Sequence, residues 1–134
     1  MALAAAGAAA AATPTMPATG VGTAEAPPGC PGAVQIGNTA YVQVGGQTAA
    51  SVKQFKGCGK NYGYTYVWQS YRSTHTGWNV CAGVVNRDDM TINGLRCGVG
   101  VREVWSYGTD TLSACTRAIG GFPDVAKAET DTRC

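Results

Sequence analysis

The chain has a single histidine, His75. A Ser–His–acid or Cys–His catalytic system would have to use it, yet it stands in an ordinary polar stretch, Arg72-Ser73-Thr74-His75-Thr76. There is no C-x-x-C spacing, and one histidine with dispersed cysteines excludes the usual zinc arrangements. The glycine-rich phosphate loop, the dinucleotide fingerprint and the N-x-S/T sequon are all missing, so no cofactor or metal is expected. Charge is sparse too, at 13% of residues. From Pro27 to Arg87 there is no Asp or Glu, and Lys53, Lys56, Lys60, Arg72 and Arg87 give that half a net +5. Such scattered charge is too thin for a nucleic-acid partner. It suits either an anionic wall polymer or an edge strand on which lysines discourage aggregation. A transmembrane helix is not expected, because Thr13 and Pro14 end the alanine run well short of the roughly 20 apolar residues that a span needs.

Residues 1–26 form a compositional world of their own. They are alanine-rich to Ala12, then carry Pro14 and Pro17, and end in Ala24-Glu25-Ala26 before Pro27-Pro28. This reads as the rear of a secretory signal peptide, or else as a disordered Ala/Pro/Thr leader. The basic start of such a peptide is missing, since the first Lys is Lys53 and the first Arg is Arg72. Met1 is therefore read as an internal start inside a longer leader. Pro27 makes Ala26 a poor cleavage position and moves the cut toward Ala10 to Ala12. Residues 27–134 are then one secreted β domain.

All six cysteines (Cys30, Cys58, Cys81, Cys97, Cys115, Cys134) follow the leader. An even number in so short a domain predicts a disulfide framework in an oxidising compartment. Six cysteines allow fifteen connectivities. The sequential one is taken as the expectation: Cys30–Cys58, Cys81–Cys97 and Cys115–Cys134. Nineteen glycines suit many tight turns between short strands.

The most patterned run is Asn61 to Tyr71, where Tyr62, Tyr64, Tyr66 and Trp68 recur at every second position. In a strand these share one face, whereas in a helix they would scatter. That face is either hydrophobic core or a platform on which sugar rings stack. The core is favoured if Asn61–Tyr71 and Gly77–Val85 close as a hairpin, which sets Trp68 against Val80, Tyr66 against Ala82 and Tyr64 against Val84. Tyr71 then falls on the opposite, mixed face. Upstream, Ala33–Ile36 and Ala40–Val44 alternate around a Gly37-Asn38 turn, and Gly45-Gly46 leads into Thr48–Phe55. Cys58 between Gly57 and Gly59 marks the next turn. Downstream, Met90–Leu95 and Cys97–Tyr107 read as strands. Thr109 or Asp110 would cap the one plausible short helix, near 110–119, stopped by Gly120-Gly121.

The run Val52-Lys53-Gln54-Phe55-Lys56-Gly57-Cys58-Gly59, with Tyr64 to Trp68 behind an alanine-rich leader, resembles small cysteine-bridged exported proteins of high-GC Gram-positive bacteria. The resemblance implies secretion and a β-rich domain, and it brings no functional residue with it.

The expected fold is mainly β, a small antiparallel sandwich or barrel stapled by disulfides. The expected function is non-enzymatic extracellular binding, to a cell-wall polysaccharide or to a protein such as a peptidase. Candidate contact residues are Arg72 and His75 in the polar loop, Tyr62 and Tyr71 of the aromatic run, and Lys56 and Lys60. The enzymatic alternative is a small hydrolase using Glu103 or His75. Glu103 shares an apolar face with Val101 and Trp105, where burial would favour its neutral form. A glycosidase would need a second carboxylate across a cleft, and Asp88-Asp89 are neighbours in a turn.

Overall fold

A computed structural model describes residues 25–134; most of the leader, residues 1–24, lies outside the described residues. Eight strands build two antiparallel sheets. The first sheet has the order β1 (Val34–Val44), β2 (Gln47–Gly57), β3 (Lys60–Val67), β6 (Glu103–Trp105). The second has the order β5 (Ile92–Val99), β4 (Asn79–Asn86), β7 (Thr116–Phe122), β8 (Ala126–Glu129). The two sheets face each other as a sandwich, and all three disulfides follow the sequential pairing. Among the described residues no helix is long and apolar enough to cross a membrane.

Two hairpin turns are set by local chemistry. Gly45 and Gly46 both take positive φ (59° and 79°) between β1 and β2, a conformation that costs glycine nothing. Between β2 and β3 the same is asked of Cys58 (φ 52°) and Gly59, and the Cys30–Cys58 bridge fixes that turn.

The inter-sheet core is built from small residues. Val42, Ala50, Val52, Val67 and Val104 of the first sheet meet Val80, Ala82, Ala118 and Phe122 of the second, with Tyr71 and Ala49 at one end. Small side chains let the sheets approach closely. Thr65 Oγ1 donates to the Cys81 carbonyl across the gap at 2.9 Å. A Cβ on Gly63 would run into the Gly83 backbone, and one on Gly120 would fall on Thr65 Oγ1. Glycine is required there by proximity rather than by turn geometry.

Three sequence expectations give way. The expected hairpin of β3 with β4 does not form: β3 ends at Val67 and pairs with β2 and β6, while β4 pairs with β5 and β7 in the other sheet. The aliphatics of β4 therefore meet the odd face of β3 (Thr65, Val67) and not its aromatic face. The short helix lies at α1 (Gln69–Arg72), not near 110–119. There Thr116, Ile119 and their neighbours extend instead as β7, because Gly120 lets this segment slide against Thr65. Finally, Gly37-Asn38 is no turn. It is an irregularity within one continuous β1, between Ile36 and Ala40, where Gly37 has φ 72°. Asp131 Oδ1 accepts the freed Asn38 N–H at 2.7 Å, and that bond, with Arg133 beside it, holds the Asp131 carboxyl below the usual carboxylate range.

Candidate functional site

Because the odd face of β3 is turned inward, its aromatic face lies on the outside of the first sheet. The cross-strand register arranges this outer face in rows. One row runs Tyr41–Ser51–Tyr66–Glu103 straight across β1, β2, β3 and β6. The next holds Lys53–Tyr64–Trp105, and a third holds Phe55–Tyr62.

The second and third rows are roofed. The segment from Glu25 to Ala33 crosses them, so Cys30 and Ala33 pack with Phe55, Tyr64 and Trp105 in a cluster separate from the inter-sheet core. The rings meet edge-on or tilted, with Phe55–Trp105 centroids 4.9 Å apart and Tyr64–Trp105 4.1 Å apart. Glu25 anchors the roof by an ion pair to Lys53 at 2.6 Å. The aromatic strand face thus proves neither bare platform nor inter-sheet core; its middle is a small satellite core.

Tyr64 is buried, and its hydroxyl donates to Glu103 Oε1 at 2.6 Å. Burial, and then the negative charges of Glu25 and Glu103, push its pKa well above the ordinary tyrosine value. A raised folded-state pKa contributes stability that is complete below the unfolded value of about 10. That stability is lost as pH climbs from there through the folded value. Chemical-denaturation midpoints measured from pH 8 to 12 should therefore hold and then fall beyond about pH 10. Tyr64→Phe should flatten the falling limb, and an unchanged limb in that variant would contradict the assignment.

The first row is open. Tyr41 is 52% exposed and Trp68, just past β3, is 37% exposed, with ring centroids 6.2 Å apart and planes nearly perpendicular. Trp68 Nε1 donates to Ser51 Oγ at 2.7 Å, which fixes the indole beside the row. Arg72, at the end of α1, lies over the half-buried Tyr66 ring, its guanidinium carbon 5.8 Å from the centroid. It also donates to the Val67 carbonyl and, at 3.3 Å, to the Tyr66 hydroxyl. Two exposed rings, a guanidinium and the exposed carboxylate of Glu103 thus sit along one strip. Such a strip offers π-faces for stacking and fixed donors and acceptors beside them.

The sequence-predicted residues scatter across the molecule. Arg72 joins the strip, and half-buried Tyr62 lies under the roof's edge against Gly108. Tyr71 is a correction: α1 turns it inward, where its ring stacks on Phe122 with centroids 4.6 Å apart, so it is core and not a contact residue. His75 stacks on the other side of Tyr71 at 3.8 Å. Its Nδ1 lies 3.0 Å from the Tyr71 carbonyl and 2.9 Å from Thr74 Oγ1. Glu103 is exposed, and the burial expected of it is absent. It bonds Tyr64 while His75 bonds Tyr71 and Thr74, so no hydrogen bond links the two hydrolase candidates. Lys60 is paired with Asp110 at 2.8 Å. Lys56 points to the opposite end of the sandwich, into a cleft between the sheets.

Of the residues along this strip, Tyr41 and Ser51 are absent from the sequence-based expectations, while Tyr66 and Trp68 enter there as part of the aromatic face read as core or as platform. The alternation Tyr41/Gln43 against Val42/Val44 carries a signal for the first of them, since Val42 is fully buried and Tyr41 faces out. No family model, no curated protein and no solved structure matches this chain.

Proposed function

We propose that this is a non-catalytic, exported binding protein that holds a wall polysaccharide along the Tyr41–Ser51–Tyr66–Glu103 row. The observation that carries the reading is the pair of exposed, mutually perpendicular rings, Tyr41 and the hydrogen-bonded Trp68, beside the charged groups of Arg72 and Glu103. A sugar ring has an apolar face for the aromatic and hydroxyls on its rim for the carboxylate and guanidinium. A flat strip across four strands suits a chain that is gripped along its length rather than swallowed. Export fits the pairing of all six cysteines, since bridges persist in oxidising compartments. It also fits the resemblance to small exported proteins of high-GC Gram-positive bacteria.

Affinity electrophoresis of the oxidised full chain through gels containing wall polysaccharides is the direct test. The wild type should be retarded. Trp68→Ala should lose most of that retardation, while the fold persists and its stability falls by about 2–4 kcal/mol for the lost Ser51 bond and the buried part of the indole. A Trp68→Ala protein retarded like the wild type, or no retardation by any wall polymer, would remove the reading.

A further inference from the structure

At the end of the sandwich far from Trp68, the sheets part around a cleft of about 210 Å³ lined by Ile36, Lys56, Asn61, Leu112, Thr116 and Arg133 among others. That is below the roughly 300 Å³ at which drug-sized pockets begin. It has room for one small unit.

Its floor is a buried polar network whose protons can be counted. Thr109 Oγ1 donates to the Asn61 carbonyl at 3.1 Å, so its single proton is used. The 2.8 Å contact between Thr111 and Thr109 hydroxyls must then be donated by Thr111. Asn61 Nδ2 gives one proton to Thr111 Oγ1 at 2.8 Å and points the other at Thr116 Oγ1 at 3.4 Å. Gln54 Nε2 donates to Thr116 Oγ1 at 2.7 Å. Thr116 therefore accepts from two sides, and its own hydroxyl proton has no acceptor among the described residues. Fully buried Gln54, one contact behind it, is left with Oε1 unpartnered. Turning the Gln54 amide over would let Thr116 donate to Oε1, but it would strand a buried NH₂ with two protons. In either arrangement of the Gln54 amide one of its buried polar atoms stays without a partner, and buried polar groups are normally paired.

The rim of the cleft is cationic. Lys56 is exposed and makes no ion pair among the described residues. Arg133 is held by Asp131 at 2.7 Å, which leaves the rest of its guanidinium fork available. No Asp or Glu is among the lining residues, and Ile36 and Leu112 supply an apolar wall.

We propose that this cleft binds a small organic oxyanion, a carboxylate or phosphate on a unit no larger than one sugar. Thr116 donates its free proton to the anion, Lys56 neutralises it, Arg133 adds N–H donors from the part of its fork that Asp131 leaves open, and Ile36 and Leu112 cover the carbon skeleton. The site is separate from the outer strip, and it stands whether or not that strip binds a polysaccharide.

The test is titration of the oxidised full chain, followed by amide NMR, with galacturonate, glucose 6-phosphate, inorganic phosphate and glucose. The expected result is saturable shifts at Asn61, Thr116 and Arg133 with the uronate or the sugar phosphate, and glucose at least tenfold weaker. Whichever anionic sugar binds tighter identifies the carboxylate or the phosphate as the natural group. Lys56→Ala, an exposed change that should leave the melting temperature alone, should weaken binding about tenfold or more, and Lys56→Arg should restore much of it. Thr116→Val removes the donor but endangers the network, so the two Lys56 variants decide the matter if that protein fails to fold. Equal binding of glucose and galacturonate, an unaffected Lys56→Ala protein, or no shift with any anion at roughly 10 mM, well above the millimolar range of weak binding, would overturn the proposal.

Discussion

Gly120→Ala should lower the melting temperature by about 15 °C or more. The new Cβ would overlap Thr65 Oγ1 and stand about 3.1 Å from both the Cys81 carbonyl and Val52 Cγ2. None of these is a flexible chain end. Thr65 belongs to β3 and Cys81 to β4, so relief means parting the sheets. Overpacking of that kind costs about 1–3 kcal/mol. Displacing Thr65 also breaks its 2.9 Å bond to the Cys81 carbonyl, and an unpaired buried group adds about 1–3 kcal/mol. A double-mutant cycle separates this from any loss of backbone freedom. Thr65→Ala removes the obstructing oxygen, so Gly120→Ala should cost much less in that background than in the wild type. Additive effects, or a Gly120→Ala protein as stable as its parent, would show that the sheets do not meet closely at that point.

The same contact explains what the sequence made legible and what it hid. Strand existence is legible from β1 through β6, because alternation and glycine punctuation are local, but not for β7, where a helix is expected, nor for β8, where no strand is. The β1–β2 and β2–β3 turns follow from Gly45-Gly46 and from Cys58-Gly59, and the disulfide pairing agrees with sequential order. Sheet membership is not local. Nothing in Asn61–Tyr71 says that β3 and β4 belong to different sheets, and Tyr71 looks like one more strand residue until α1 turns it into the core. Size misled as well. Four aromatics on one face outweigh Thr65 and Val67 on the other by area, yet where the sheets touch through Gly63, Gly83 and Gly120 there is no room for rings between them, and the inter-sheet rings, Tyr71 and Phe122, stack at one end of the core instead. Aromatics excluded from such a core need a cover of their own. Here Cys30 and Ala33 supply it for the middle of the face, and the end beyond the roof remains open as the candidate site. Glu103 illustrates the same limit, since its apolar neighbours in sequence do not bury it.

The roof makes the second large prediction. Breaking the Cys30–Cys58 bridge by replacing both cysteines with alanine should cost more than breaking either of the others. Its sequence separation is 28, against 16 for Cys81–Cys97 and 19 for Cys115–Cys134. In the chain-entropy model these loops correspond to about 3.6, 3.1 and 3.2 kcal/mol, too close to set the order by themselves. What sets it is packing. Cys30 is almost wholly buried against Phe55, Tyr64 and Trp105, whereas Cys97 lies exposed on the outermost strand of its sheet. Without the bridge, the Glu25–Ala33 segment is held mainly by the Glu25–Lys53 pair, a partly exposed contact worth little on its own. The segment should then lift from the sheet and uncover the satellite aromatic cluster. The reporter is Trp105, whose emission should shift to the red in the Cys30→Ala/Cys58→Ala protein while β-sheet circular dichroism persists. The Cys81→Ala/Cys97→Ala protein should show no such shift below its melting temperature. Melting order and tryptophan emission are independent readouts, and equal melting losses for the three pairs with unshifted emission would mean that the roof is held by its apolar contacts and not by its bridge.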